Sequence, residues 1–163
     1  MTQNKGKVLL LYPALFKIAG LHLGIASLSG VLKKAGYDVK VFDTAFYYLA
    51  GQKEWDKERA DRLVSKKIAN EDDHWPVKTT DMEKDLLNLI EEFQPKIVGV
   101  SVTEPTYEIS LMLTRLIKQR YPDLLIIAGG AFPTLSPDIV IKENSIDCIV
   151  TSPPYGDSRT TVA

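Results

Sequence analysis

The sequence is short of cysteine, of net charge and of long apolar runs, and each shortage excludes something. Cys148 is the single cysteine among 163 residues. No intrachain disulfide can form, and neither can a Cys-Cys metal site or an iron–sulfur cluster held by three or four cysteines. The 20 basic and 21 acidic residues leave a formal net charge of -1. That balance argues against a nucleic-acid surface held by bulk charge, so no nucleic-acid partner is expected. No apolar run reaches membrane-spanning length, and no membrane partner is expected. The opening MTQNKGKVLLLYP has too short an apolar stretch before Pro13 for a secretion signal, so the expected location is cytoplasmic.

What is present is a composition of 45% hydrophobic and 25% charged residues, ordinary for a soluble globular domain. Residues 7–13 (KVLLLYP) form a continuous apolar run, the pattern of a strand covered on both faces. Residues 21–35 read as a helix with Leu21, Ile25, Leu28 and Leu32 on one face, stopped by Gly36. YDVKVFD is a second strand. Residues 44–79 are mostly charged and break the rhythm; they read as an insertion with a surface helix near 54–69. Thr80-Asp81-Met82-Glu83 has the form of a capping box and opens a helix that buries Leu86, Leu87, Ile90 and Phe93 before Pro95. A regular alternation follows: strand 96–102, helix 106–121 with Ile109, Leu113, Leu116 and Ile117 inward, strand 124–130, a short helix from Ser136-Pro137, and strand 147–150.

Strands alternating with helices imply a parallel sheet, because parallel strands need crossovers and helices supply them. Five strands at this spacing fit a doubly wound, flavodoxin-like α/β sheet of order 2-1-3-4-5. Its ligand would sit at the carboxyl ends of strands 1, 3 and 4. Three loops fall there: YPALFKIAGLHLG, SVTEPTY and GGAFPT. They combine small residues, prolines and hydroxyls, and Gly129 and Gly130 could adopt positive φ and admit a ligand closely. The first loop has no G-x-G-x-x-G, and no G-x-x-x-x-G-K-[ST] occurs anywhere, which argues against a dinucleotide and a P-loop nucleotide. Pro13-Ala14-Leu15-Phe16 is too apolar for a flavin phosphate, and the acids of a receiver domain are absent. The ligand that remains is large, mostly uncharged and partly apolar.

HLGIASLSGVLKKAGYDVKVFDT, and PKIVGVSVTEPTYEISLMLTRLIKQRYPDLLIIAGGAFPTLSPDIVIKENSIDCIV, resemble the cobalamin-binding domain of the cobalamin-dependent radical S-adenosylmethionine enzymes. The likeness covers roughly residues 7–150 apart from the insertion. It implies a corrinoid against the carboxyl edge, with Ser101, Thr103, Gly129, Gly130 and Ala131 lining it; Tyr12, Pro13, Leu23, Gly24, Glu104, Pro133 and Thr134 complete the candidate set. It also implies a methyl-carrier module whose partner is a radical S-adenosylmethionine barrel. The Asp-x-His-x-x-Gly motif that would put a histidine on cobalt is missing, with Leu15 and Lys17 at the corresponding positions before Gly20. Cobalamin is therefore expected without a protein histidine on the metal. The barrel's Cys-x-x-x-Cys-x-x-Cys site is also absent from this chain, which by itself carries no catalytic residue.

The end of the chain points elsewhere. Thr151-Ser152-Pro153-Pro154-Tyr155 resembles the loop of amino-methylating DNA methyltransferases that holds a flipped base. The resemblance changes near Val150. No glycine-rich S-adenosylmethionine loop accompanies it, so residues 151–163 are expected to be an idle, flexible tail. A DNA amino-methyltransferase fragment and a non-catalytic sensor or scaffold of the same fold are the rival readings. Of single residues, His22 is expected to cap or pack, and Cys148 to be an inert small hydrophobe. Trp55 and Tyr47-Tyr48 could lid the ligand or anchor the insertion, and Asp72-Asp73-His74 reads as a solvated loop rather than a metal site.

Overall fold

The computed structural model describes residues 5–14, 22–47, 78–152 and 161–162. Five strands, β1 (Lys7–Tyr12), β2 (Asp38–Asp43), β3 (Ile97–Ser101), β4 (Leu125–Gly129) and β5 (Cys148–Thr151), lie parallel in the order β2-β1-β3-β4-β5. This is the doubly wound order expected. A short β6 (Thr161–Val162) pairs antiparallel with β5, Val150 opposite Val162. The sequence, read as a tail leaving the sheet, did not suggest this return. Residues 153–160, on which the tail reading mainly rests, are outside the described set.

The sheet's two faces are covered differently. One face carries Leu9, Leu11, Val98, Val100, Ile126, Ala128 and Ile149, all buried. Against it lie α2 (Met82–Phe93) and α3 (Tyr107–Arg120). α2 contributes Leu86, Ile90 and Phe93; α3 contributes Ile109, Leu113 and Ile117. Leu113 is fully buried, so truncating it to Ala would cost about 2–5 kcal/mol. Leu87 and Leu116, read as core, are half-buried at the margins of their stripes. The opposite face carries Val8, Leu10 and Val39 under α1 (Leu23–Lys34). Ile25 and Leu32 pack there, with Ser29 buried between them. Leu28 is instead 47% exposed: the stripe runs at i, i+4 and i+7 through Ile25, Ser29 and Leu32, and Leu28 falls beside it. Leu21 is not among the described residues.

The helix ends follow local chemistry. After α1, Gly36 turns with φ +96°, as a left-handed stop requires. α2 is capped by Asp81, whose carboxylate accepts from the backbone N–H of Glu83 and Lys84, at 3.0 and 3.3 Å. The hydroxyl of Thr80, expected to cap, donates to Asp85 instead, at 2.5 Å. Asp is an equally good N-cap and stands one residue closer to the helix. Tyr47 settles one alternative. It is buried in the core, bridges to Lys78 and donates its hydroxyl to Asp85 at 2.8 Å, so it anchors the segment rather than lidding a ligand. Trp55 and Tyr48 lie outside the described residues, as do the surface helix near 54–69 and Asp72-Asp73-His74.

Candidate functional site

In a parallel sheet every strand ends on the same side, so the loops after β1 to β5 share one edge. The register places Tyr12 beside Asp43, and Ser101 beside Gly129. The loops after β3 and β4 are stitched by backbone. Val102 N–H donates to Gly129 O at 2.7 Å, and Phe132 N–H donates to Val102 O at 3.1 Å. The chain passes between these bonds at Gly130, with φ +112°. A Cβ on Gly130 would lie 2.7 Å from the carbonyl oxygen of Val102. Both conditions demand glycine. Gly129 differs from the expectation of paired positive φ: it is an ordinary strand residue, and a Cβ there would meet nothing closer than Val150 O at 3.9 Å. Gly130 is thus required by the protein's own backbone, whereas Gly129 is not.

Hydroxyls complete the stitching. Thr106 is buried; its side chain accepts from Thr103 N–H at 3.0 Å and lies 2.9 Å from the Thr103 hydroxyl. This starts a short 3-10 turn (Glu104–Thr106) that leads into α3. After Gly130, α4 (Ala131–Leu135) and α5 (Pro137–Val140) follow. The Thr134 hydroxyl donates to Gly130 O at 2.9 Å and accepts from Ser152 N–H at 3.1 Å, tying the ends of β4 and β5 together. Tyr107 and Phe132 rings meet at 4.8 Å and close the back of the two loops.

The β1 end is built from side chains. The Thr44 hydroxyl accepts from Ala14 N–H at 2.7 Å and donates to Ala14 O at 3.0 Å, with both residues buried. Tyr12 and His22 pack ring on ring at 3.8 Å, and the Tyr12 hydroxyl reaches the imidazole, 2.7 Å from Nδ1. Burial first, and then the Asp43 carboxylate, push the Tyr12 hydroxyl's pKa up, so it stays protonated and able to donate. His22 precedes α1 at the N-cap position, yet its side chain makes no cap bond. Of the two roles expected for it, packing holds and capping does not. Cys148 is half-exposed rather than buried, and its thiol is pushed up by burial and by Asp147. It is therefore no ready nucleophile at neutral pH.

The candidate residues all fall on this edge, but not in equal positions. Leu23, Gly24, Thr103, Glu104, Gly130 and Ala131 are exposed, and Tyr12, Ser101, Gly129 and Thr134 half-buried. Pro13 and Pro133 are buried behind the loops. Sequence reasoning missed Thr44, Thr106 and Leu135. A hydroxyl directly after the β2 strand in FDT was the available signal for Thr44. Leu23 and Leu135 are each 80% exposed. The described residues of these loops include no lysine or arginine. The described part of the edge offers apolar surface and hydroxyl groups to a large, mostly uncharged group. A corrinoid has that character, and these residues fit it.

Comparison with known proteins agrees. The family model described as the B12 binding domain matches residues 67–157, more than half of the chain. The match continues through Tyr155, past the point near Val150 where the sequence turned toward a methyltransferase-like loop. The chain is 31% identical over 142 residues to the anaerobic magnesium-protoporphyrin IX monomethyl ester cyclase of Synechocystis sp.. That alignment covers 86% of the chain and 22% of the cyclase. Among solved structures, the radical S-adenosylmethionine methyltransferase TsrM from Kitasatospora setae superposes with a TM-score of 0.60 at 20% identity, over 91% of this chain and 24% of TsrM. A cobalamin-binding protein from Desulfitobacterium hafniense gives 0.52 at 15% identity, over 88% of this chain and 52% of its own. At these identities the structures speak to the fold alone. The chain spans about a fifth of the length of the cyclase. With the sheet order and the family match in agreement, the chain belongs to the B12 binding domain family.

Proposed function

We propose that this chain is the corrinoid-carrying module of a radical S-adenosylmethionine enzyme and that cobalamin rests on the carboxyl edge of its sheet. The observation that carries the reading is the edge itself: Gly129 without a side chain and without a close contact, Leu23 and Leu135 exposed, hydroxyls of Ser101 and Thr103 at hand, and no cation among the described loop residues. TsrM, whose fold this chain shares, is a radical S-adenosylmethionine methyltransferase, which supports the reading. When bound, the corrinoid would supply a cobalt centre able to carry a methyl group.

The chain's residues bind and orient. Gly129 and Ala131 let the macrocycle approach the backbone. Leu23 and Leu135 offer apolar contact, and Ser101, Thr103 and Glu104 offer acceptors and donors for the ring's amides. His22, already packed on Tyr12, does not serve as a cobalt ligand. Catalysis on a methyl acceptor belongs to a partner barrel, and DNA is no substrate in this reading.

The test is direct. The protein is incubated with hydroxocobalamin, desalted and read by absorbance. Retained corrin bands at a stoichiometry near one are expected. A colourless protein across hydroxo-, methyl- and cob(II)alamin forms would sink the proposal and favour a scaffold that has lost its ligand.

A further inference from the structure

The opposite, amino-terminal edge of the sheet has a contrasting chemistry. Lys5, Lys7, Gln94 and Lys96 surround a hollow of about 320 Å³. Lys96 N–H donates to Lys7 O at 2.9 Å, which fixes these two residues side by side where β1 and β3 begin. Lys5 N–H donates to Gly36 O at 3.0 Å, which fixes the third. Lys40, on β2, shares the ring of Phe93 with Lys7: their ammonium groups stand 5.0 and 5.5 Å from its centroid.

None of the four lysines has an ion-pair partner among the described residues, although the chain carries 21 acids to 20 Lys and Arg. Elsewhere two acids take close cationic partners: Glu143 takes Arg115 and Asp147 takes Lys118, each at 2.8 Å. Asp38 stands opposite Lys7 in the sheet register, is exposed, and pairs with none of them. Like charges gathered without counter-ions repel one another and lower stability. Phe93 holds two of them in place without neutralising them. Such a set is pre-arranged for an anion carrying several charges, and the hollow is large enough for a short chain of phosphoryl groups.

We propose that this amino-edge hollow is a binding site for a multiply charged phosphate-class anion, either free or as the polyphosphate of a nucleotide. Lys5, Lys7 and Lys96 supply the charge, with Gln94 as an amide donor. The site is separate from the corrinoid edge and stands whether or not that edge binds a corrinoid.

The probe is inorganic tripolyphosphate. Thermal unfolding and calorimetric titration are run at low salt on the wild type and on a Lys5→Ala/Lys96→Ala double variant. Both residues are exposed, so the variant should fold. Without anion, its Tm should equal or exceed that of the wild type, because repulsion is relieved. Tripolyphosphate should raise the wild-type Tm by mass action, with the rise shrinking as salt is added. Each lysine removed should weaken binding about three- to tenfold. Tighter binding of a nucleoside triphosphate than of tripolyphosphate would assign a nucleotide; equal binding would assign the phosphate chain alone. No heat and no Tm rise at millimolar tripolyphosphate would overturn the proposal. An equal rise in the double variant would overturn it too, as would binding of polyglutamate without tripolyphosphate, which would mark a protein-docking surface instead. Retention of cobalamin is read in parallel on both proteins and reports separately on the other edge.

Discussion

The β3–β4 side and the β1–β2 side of the sheet's carboxyl edge are held together in different ways. On the β3–β4 side, backbone groups bind one another across the loops, with Val102 bonded to both Gly129 and Phe132. On the β1–β2 side, one threonine hydroxyl holds Ala14 by both its polar groups, and an aromatic pair packs beside it. A backbone-built loop has its shape written into the main chain and needs a special residue at one point. A side-chain-built loop tolerates ordinary backbone but depends on one buried hydroxyl. Mutations should therefore fail globally on the first side and locally on the second.

The largest effect should come from Gly130→Val. The new side chain would meet Val102 O at 2.7 Å and occupy a φ of +112° that valine avoids. A loss of about 3 kcal/mol or more is expected, read as a fall in the urea midpoint. Such a variant says nothing specific about corrinoid contact, because the fold itself requires the glycine. A Gly130→Val protein of wild-type stability would show that the β3–β4 side is less rigid than its hydrogen bonds indicate.

Thr44→Val comes next. Valine keeps the shape and deletes the hydroxyl, leaving the buried Ala14 N–H and C=O without their partner. About 2–3 kcal/mol should be lost. Hydrogen exchange should show faster exchange at Ala14 and little change at Val102 and Phe132. Equal loosening at both sites would erase the distinction between the two sides.

The legibility of these two sides differed for the same reason. Strand order and the glycine after β4 were readable, because apolar runs alternating with helices leave few topologies and GG after a strand has few conformations. Which of the two glycines mattered was not readable: the decisive contact is with Val102, some 28 residues earlier in the chain. Likewise Thr44 and Ala14 are 30 residues apart, and nothing local marks them as partners. The cap of α2 was misplaced by one residue, because Thr80 and Asp81 are both good N-caps and only the helix's actual start decides between them. Leu28 was misjudged for a comparable reason, since a helical stripe has edges that sequence spacing does not locate.

Gly129→Ala isolates the ligand from the fold. The added methyl finds Val150 O at 3.9 Å and strains nothing. Stability should hold or rise by about 0.5 kcal/mol, since glycine in a strand is entropically costly. Cobalamin retention should nevertheless weaken about tenfold, equivalent to about 1.4 kcal/mol, if the ring rests on this stretch of backbone. Unchanged affinity would move the ligand away from β4. Lower stability together with lower affinity would return Gly129 to the structural class of Gly130.

The smallest effect belongs to His22→Ala. Its ring lies on Tyr12 with both imidazole nitrogens in reach of that residue's hydroxyl, whose ionisation burial and Asp43 oppose. The imidazole is only half-buried and, among the described residues, makes no cap bond to the backbone. Its removal deletes one aromatic contact and leaves the Tyr12 hydroxyl free to turn toward water, so the stability change should stay near about 1 kcal/mol. The α1 start should survive, since no side-chain cap is lost. The bound corrinoid's absorbance and its cob(II)alamin paramagnetic spectrum should not change, because a histidine engaged by Tyr12 contributes no nitrogen to cobalt. A loss of nitrogen hyperfine splitting on substitution would show that His22 leaves Tyr12 for the metal when the cofactor binds. That would make the β1–β2 side the one that rearranges on binding, against a β3–β4 side held by its backbone.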